Sequence, residues 1–182
     1  MAVDPCFLAF LRDVVDIWKP TATVNGRGLL EQGAYELRES AVPCALQPLR
    51  ASLVAALTGQ VGRISHVAYL EPTDVVAGDL LVERRVSAVL MADAHAGDRT
   101  IRLQADDGNG GWAVIGEGAE AELVLIEGVM GGEAQLSRPL AKAHAAQSFV
   151  WFSDCHEVVE VCDEAGAGHH LRLGLKQWGG AP

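Results

Sequence analysis

The sequence predicts a mainly β protein: a discontinuous small β-barrel with an N-terminal helix and an inserted second β-rich module. Three observations predict it. Short apolar runs alternate with period two along most of the chain, as half-buried strands do. Twenty glycines and seven prolines among 182 residues separate those runs with turns. Aromatic residues make up only 5% of the chain, so the core is built from Val, Leu, Ala and Ile. A chain of this length buries one sizeable core, or one core and a small insert.

The elements follow in order. Cys6–Trp18 places Phe7, Phe10, Leu11, Val14, Val15 and Trp18 at helical spacing, after a Pro5 suited to a first turn and before Pro20. Residues 1–20 are therefore expected to hold the N-terminal helix. Thr21–Leu30 reads as a strand and a Gly-rich loop. Gly33–Leu46 reads as a strand that is an edge or contains a break, because Pro43 and Pro48 donate no ladder hydrogen bond. Leu49–Leu57 suits a small helix or a loop. Arg63–Leu70 alternates as a strand, and the Gly78-Asp79 turn leads into another over Leu80–Val82.

Residues 86–151 have a different texture. Strand-like runs at Val86–Met91, Thr100–Leu103, Trp112–Ile115, Glu122–Ile126, Ala134–Leu136 and Ser148–Phe152 are divided by Gly-rich turns, with Asp106–Gly111 as a loop and Pro139–Ala146 as a helical turn. These residues read as the inserted β-domain. Cys155–Val161 and His169–Leu175 then form a final hairpin around Cys162–Gly168. The core barrel is thus expected from residues 21–85 and 152–182.

The charge narrows the function classes. A formal net charge of -10 disfavours non-specific binding to nucleic acid, which depends on Lys and Arg. It suits a surface that DNA slides past, and equally simple solubility. Cys6, Cys44, Cys155 and Cys162 form no C-x-x-C pair and read as reduced thiols of a cytoplasmic protein. No leader pattern is recognisable, and no apolar run approaches the roughly 20 residues of a membrane span.

Catalytic signatures are missing from the sequence: it has no G-x-S-x-G, Walker A or H-E-x-x-H. Asp106–Gly111 resembles half of a calcium loop but lacks the distal Glu. Cys155, His156, Cys162, His169 and His170 are zinc-type ligands, yet neighbours in a strand point to opposite faces. No catalytic, cofactor-binding or metal residue is assigned.

The order of motifs carries more. V-P-C-x-L-Q-P-L at Val42–Leu49 is followed by H-V-A-Y-L at His66–Leu70. V-x-A-G-D-x-L-V follows at Val75–Val82, and then E-V-V-x-V with G-x-G-H-H-L-x-L-x-L within His156–Leu175. This series resembles the head–tail connector proteins of tailed bacteriophages, in particular the stopper (head-closure, or head-completion) family. It covers roughly residues 20–85 and 152–177. The stretch 86–150 departs from a minimal stopper and looks like the small β-domains inserted in other phage connector proteins.

The resemblance implies a non-enzymatic virion protein, made in the host bacterial cytoplasm and ending in the neck. It implies a homo-oligomeric, six-fold ring below the portal and its adaptor, above a tail terminator or tail tube. Such a ring closes the DNA channel after packaging and offers a surface to the tail; viral DNA passes without sequence-specific binding, and no membrane is involved. An adaptor or tail-terminator ring is the alternative within the neck. A small metal- or ligand-binding β-barrel enzyme is the alternative of another class. The channel or partner loop is expected at Gln47, Arg50, Leu53, Leu57, Gln60 and Arg63. Subunit-interface candidates are Phe7, Phe10, Val14, Trp18, Tyr35 and His169.

Overall fold

Strand pairing overrides local periodicity at the N-terminus. In the computed structural model, which describes residues 5–24, 30–49, 64–104, 108–163 and 170–178, helix α1 spans only Pro5–Phe10. From Asp13 the chain is already strand β1, Asp13–Val24. The expected helix through Trp18 is thereby corrected. Its second half, Val14-Val15-Asp16-Ile17-Trp18, is rich in β-branched residues, which fit a pleated surface. Val15, Ile17 and Trp18 are fully enclosed there, and pairing runs from Val15↔Glu83 to Trp18↔Leu80. Burial of three large apolar side chains, at about 1.5–3 kcal/mol each, outweighs the few tenths per residue of helix propensity.

The remaining strands are β2 (Leu30–Pro48), β3 (His66–Leu70), β4 (Leu80–Val89), β5 (Thr100–Arg102), β6 (Gly108–Ile115), β7 (Glu122–Met130), β8 (Glu133–Leu136), β9 (Phe149–Cys162) and β10 (Leu171–Gln177). All registered pairings are antiparallel, in the order β10-β3-β2-β1-β4-β9-β6-β7-β8-β5, with β10 also paired to β9. That last pairing closes six strands into a ring. Two expectations are corrected: Gly108–Gly111 belongs to β6 instead of a loop, and Pro139–Ala146 is bend and bridge instead of a helical turn.

Two compact units divide the chain, with boundaries inside β1, β2, β4 and β9. The first comprises Met1–Pro20, Arg38–Glu83 and Cys155–Gly179. Its core holds Val15, Ile17, Val42, Cys44, Leu70, Leu81, Val158, Leu173 and Leu175 among others. β2 lies between β1 and β3, so its prolines do not mark an edge. The break falls at Ala41, which has a left-handed φ of 58°. Carboxylates of β1 steady β2 around that break. Buried Asp16 accepts the Ala41 N–H (3.0 Å), and Asp13 accepts the Leu46 N–H (2.8 Å).

The second unit comprises Thr21–Leu37, Arg84–Asp154 and Gly180–Pro182. Thr21–Leu37, expected with the barrel, groups here, and the Thr21 hydroxyl donates to the Ala34 carbonyl. The core gathers Leu90, Ile101, Leu103, Ile115, Val124, Ile126, Leu136, Leu140 and Val150 with others. β9, β6, β7, β8 and β5 pair in succession. The Met91 N–H donates to Arg102, the Gln104 N–H to Val89, and the Leu90 N–H to Ser148, which brings the series back to its start.

One turn geometry occurs three times. In Val76–Asp79, His95–Asp98 and Ala145–Ser148 the fourth N–H donates to the first carbonyl, at 3.1, 3.0 and 3.1 Å. The third residue has positive φ in each: Gly78 at 96°, Gly97 at 99° and Gln147 at 70°. Its N–H is held at 2.8 Å in each case, by Val158, Leu140 and Leu90 carbonyls respectively. Asp79 and Asp98 also accept the first N–H of their own turns, at 2.9 and 2.7 Å. These are type II turns, which favour Gly at the third position.

Candidate functional site

Three places gather side chains whose chemistry exceeds simple packing. The first is the N-terminal face of the first unit. Phe7 lies 5.0 Å from the His170 ring, Phe10 6.0 Å from Tyr69, and Tyr69 6.3 Å from His170. Aromatic contacts of this kind add about 0.5–1.5 kcal/mol each beyond area burial. They pin a six-residue helix too short to persist alone. Leu8, Phe10 and Val14 stay 46%, 43% and 51% exposed, an apolar strip along the start of the chain.

Of the expected interface residues, Phe7, Phe10 and Val14 reach this face. Trp18 and Tyr35 are 0% and 7% exposed, enclosed by the chain's own fold. The helical spacing that put Trp18 beside Phe7 vanished with the helix. His169 lies outside the described residues. Of the expected loop residues, Gln47 is exposed on β2 opposite Val67. Arg50, Leu53, Leu57, Gln60 and Arg63 lie outside the described residues. The two ends of that loop are joined, since the Leu49 N–H donates to the Ser65 carbonyl at 2.9 Å.

Among the described residues, Cys155, His156, Cys162 and His170 do not converge on one point. Cys155 and His156 are buried; His156 packs edge-on against His66, with ring centres 4.6 Å apart. Cys162 sits apart, between Glu160 (3.3 Å) and Arg172 (3.5 Å). Among the described residues no three His, Cys, Asp or Glu side chains are placed to share a metal ion. Cys44 is buried near Asp13 and Glu83; burial first, then those two charges, push its thiol up to about 12, so it stays a neutral core group.

The second place is a cavity of about 540 Å³ in the second unit. Its wall includes Tyr35, Leu37, Ala119, Ala121, Glu122, Arg138 and Lys142. Glu122, 7% exposed, is the fixed point. Its carboxylate accepts the Ala141 N–H (2.8 Å), the Lys142 N–H (3.1 Å) and faces His144 Nε2 (3.4 Å). Burial alone would raise its pKa. The His144 hydrogen bond, the two backbone N–H groups and the His144 charge outweigh burial and hold the carboxyl below its ordinary value. The Lys142 ammonium donates to the Ala119 and Ala121 carbonyls, at 2.7 and 3.1 Å. Arg138 donates through Nη2 to the Leu123 carbonyl at 3.0 Å.

The third place is an aromatic pair on β9. Phe149, 45% exposed, stacks on Trp151 at 5.5 Å, and the Arg84 guanidinium lies 5.8 Å from the Trp151 ring centre. The i, i+2 spacing of Phe149 and Trp151 across buried Val150 was the available signal. The cavity gave no such signal, because Glu122, Arg138 and Lys142 read as scattered charges.

No protein-family model matches this chain, and no match was found among curated proteins.

Proposed function

We propose that this protein is a structural subunit of the neck of a tailed bacteriophage, a stopper ring that closes the head channel after packaging and presents a surface to the tail. One observation carries the reading. The motifs that resemble the stopper family lie on strands that pair with one another: Cys44↔Leu70, Tyr69↔Arg172 and Leu173↔Val161. Segments far apart in sequence and alike in order thus make one local structure, as a shared fold requires.

Further features favour assembly. Leu8, Phe10 and Val14 offer apolar area where a neighbouring copy gains by covering it. The flanks of the expected channel loop, Leu49 and Ser65, are joined by a hydrogen bond, and the loop residues between them lie outside the described residues. The role is geometric, with portal or adaptor above and tail terminator or tail tube below. Six copies close a ring through heterologous contacts. The acidic balance keeps DNA from adhering to the wall.

Imaging of intact particles with the chain labelled tests this. The expected result is one ring at the head–tail junction, and full heads without tails when the gene is removed. A label found on the capsid shell or the tail tip, or normal particles without the gene, refutes it. An adaptor or terminator ring differs in copy number and position, which the same images measure.

A further inference from the structure

The wall of the second unit's cavity carries two cations that form no ion pair among the described residues. Glu36 and Glu122 also line the space. Neither forms an ion pair with Arg138 or Lys142. Glu122 is engaged by Ala141, Lys142 N–H and His144, and Glu36 stands exposed at the rim. Arg138 uses one of its five donors, on the Leu123 carbonyl. Lys142 uses two of three, again on carbonyls. Both side chains are half-buried. Several other described cations do meet acids: Lys19 and Arg38 meet Asp74, Arg85 meets Asp154, and Arg102 meets Glu133.

Alanines keep the space open. Leu37, Ala119, Ala121 and Pro139 supply apolar wall beside the two cations. About 540 Å³ falls within the roughly 300–1,000 Å³ of small-molecule sites, which join an apolar lining to a few converging polar groups. Donors left over from these carbonyl contacts, beside an apolar wall, fit a planar anion attached to an apolar body.

We propose that this cavity binds an organic carboxylate, its carboxylate on Arg138 and Lys142 and its apolar body against Leu37, Ala119, Ala121 and Pro139. The inference does not rest on the neck-ring reading. The carboxylate comes either from a free acid or from an acidic side chain of another copy of this chain.

Benzoate is the probe, titrated into the full chain while backbone amides are followed by NMR. Benzamide, of the same shape but uncharged, is the control. Expected are saturable shifts confined to residues 34–37, 118–123 and 138–144, with a Kd of about 1–10 mM for benzoate. Benzamide is expected to bind at least about tenfold more weakly. Arg138→Gln keeps a donor for Leu123 and loses the charge; it is expected to weaken benzoate by a similar factor while leaving the remaining spectrum unchanged. Equal binding of benzamide, shifts scattered over the surface, or full benzoate affinity in R138Q overturns the proposal. Sedimentation with saturating benzoate separates the two sources. An oligomer dispersed by benzoate, but not by benzamide, assigns the carboxylate to a neighbouring copy; an oligomeric state indifferent to benzoate, beside a saturating titration, assigns it to a free acid.

Discussion

Removing the Glu122 carboxylate tests the energetic centre of the second unit. Glu122→Ala leaves the Ala141 and Lys142 N–H groups and His144 without their acceptor. A buried donor stranded in this way costs about 1–3 kcal/mol. Two backbone donors set a range of about 2–6 kcal/mol. Ala141 is itself exposed and Lys142 half-buried, so water recovers part of the loss and about 2–3 kcal/mol is expected. In a chain of this size that lowers Tm by roughly 4–12 °C. Urea unfolding followed by tryptophan emission measures it, since Trp112 and Trp151 belong to this unit.

The pH dependence adds a sign that packing alone would not give. The folded carboxyl titrates below its ordinary 4.5. Its stabilisation is therefore complete above about 4.5 and lost as pH falls through the folded value. Wild type and E122A are expected to differ fully at pH 7 and to converge in acid. An unchanged difference at pH 3, or a difference under about 0.5 kcal/mol at pH 7, refutes the role assigned to the carboxylate.

Backbone and thiol predictions follow from single positions. A Cβ on Gly110 would lie 2.0 Å from the Ile126 carbonyl oxygen, so Gly110→Ala must part β6 from β7 and is expected to cost about 3 kcal/mol or more by urea titration. Gln147 holds a positive φ of 70° where its two counterparts are glycines. Gln147→Gly should stabilise by about 0.5–1 kcal/mol, and a loss of stability would show that its side chain matters more than its backbone. Under native conditions a thiol reagent should label exposed Cys6 rapidly and spare Cys44 and Cys155 until urea is added. Phe10→Ser gives up the Tyr69 contact and should lower Tm by roughly 1–6 °C, yet reduce self-association measured by sedimentation well below the unfolding temperature; intact assembly in F10S removes that face from the ring contact.

Two of the shorter strands were legible because their buried face repeats every second residue. Thr100-Ile101-Arg102 and Glu133-Ala134-Gln135-Leu136 show burial in step with their sequence pattern. The N-terminus misled because Phe7, Phe10, Val14 and Trp18 satisfy a helical period by spacing alone. Only the long-range partner Leu80–Glu83 decides that Val15 and Ile17 sit in a sheet. Gly78-Asp79 and Gly97-Asp98 announced two turns. Ala145–Ser148 did not, since its third residue is Gln147 and nothing local requires positive φ there. The cavity was illegible for a related reason: Glu122 on β7, the β8–β9 connection and the end of Leu30–Leu37 converge only in three dimensions.

The second unit also shows where its two halves part. Segments fifty residues apart exchange matching hydrogen bonds: Gly97 N–H to Leu140 with Leu140 N–H to Asp98, and Gln147 N–H to Leu90 with Leu90 N–H to Ser148. Ala94 and His144 pair reciprocally at the centre, at 2.9 and 2.8 Å. This is approximate two-fold symmetry in backbone bonding. Leu90 and Leu140 are equivalent and both buried, at 0% and 3% exposure. Two polar residues of the cavity wall, with His144 behind Glu122, break the symmetry. Arg138, Lys142 and His144 stand where the other half carries Ala88, Ala92 and Ala94. Scaffold positions match and the charged positions do not. The mismatch runs both ways, since Asp93, His95 and Arg99 correspond to Ala143, Ala145 and Phe149, so what the two halves share is the backbone bonding and not the pattern of charge.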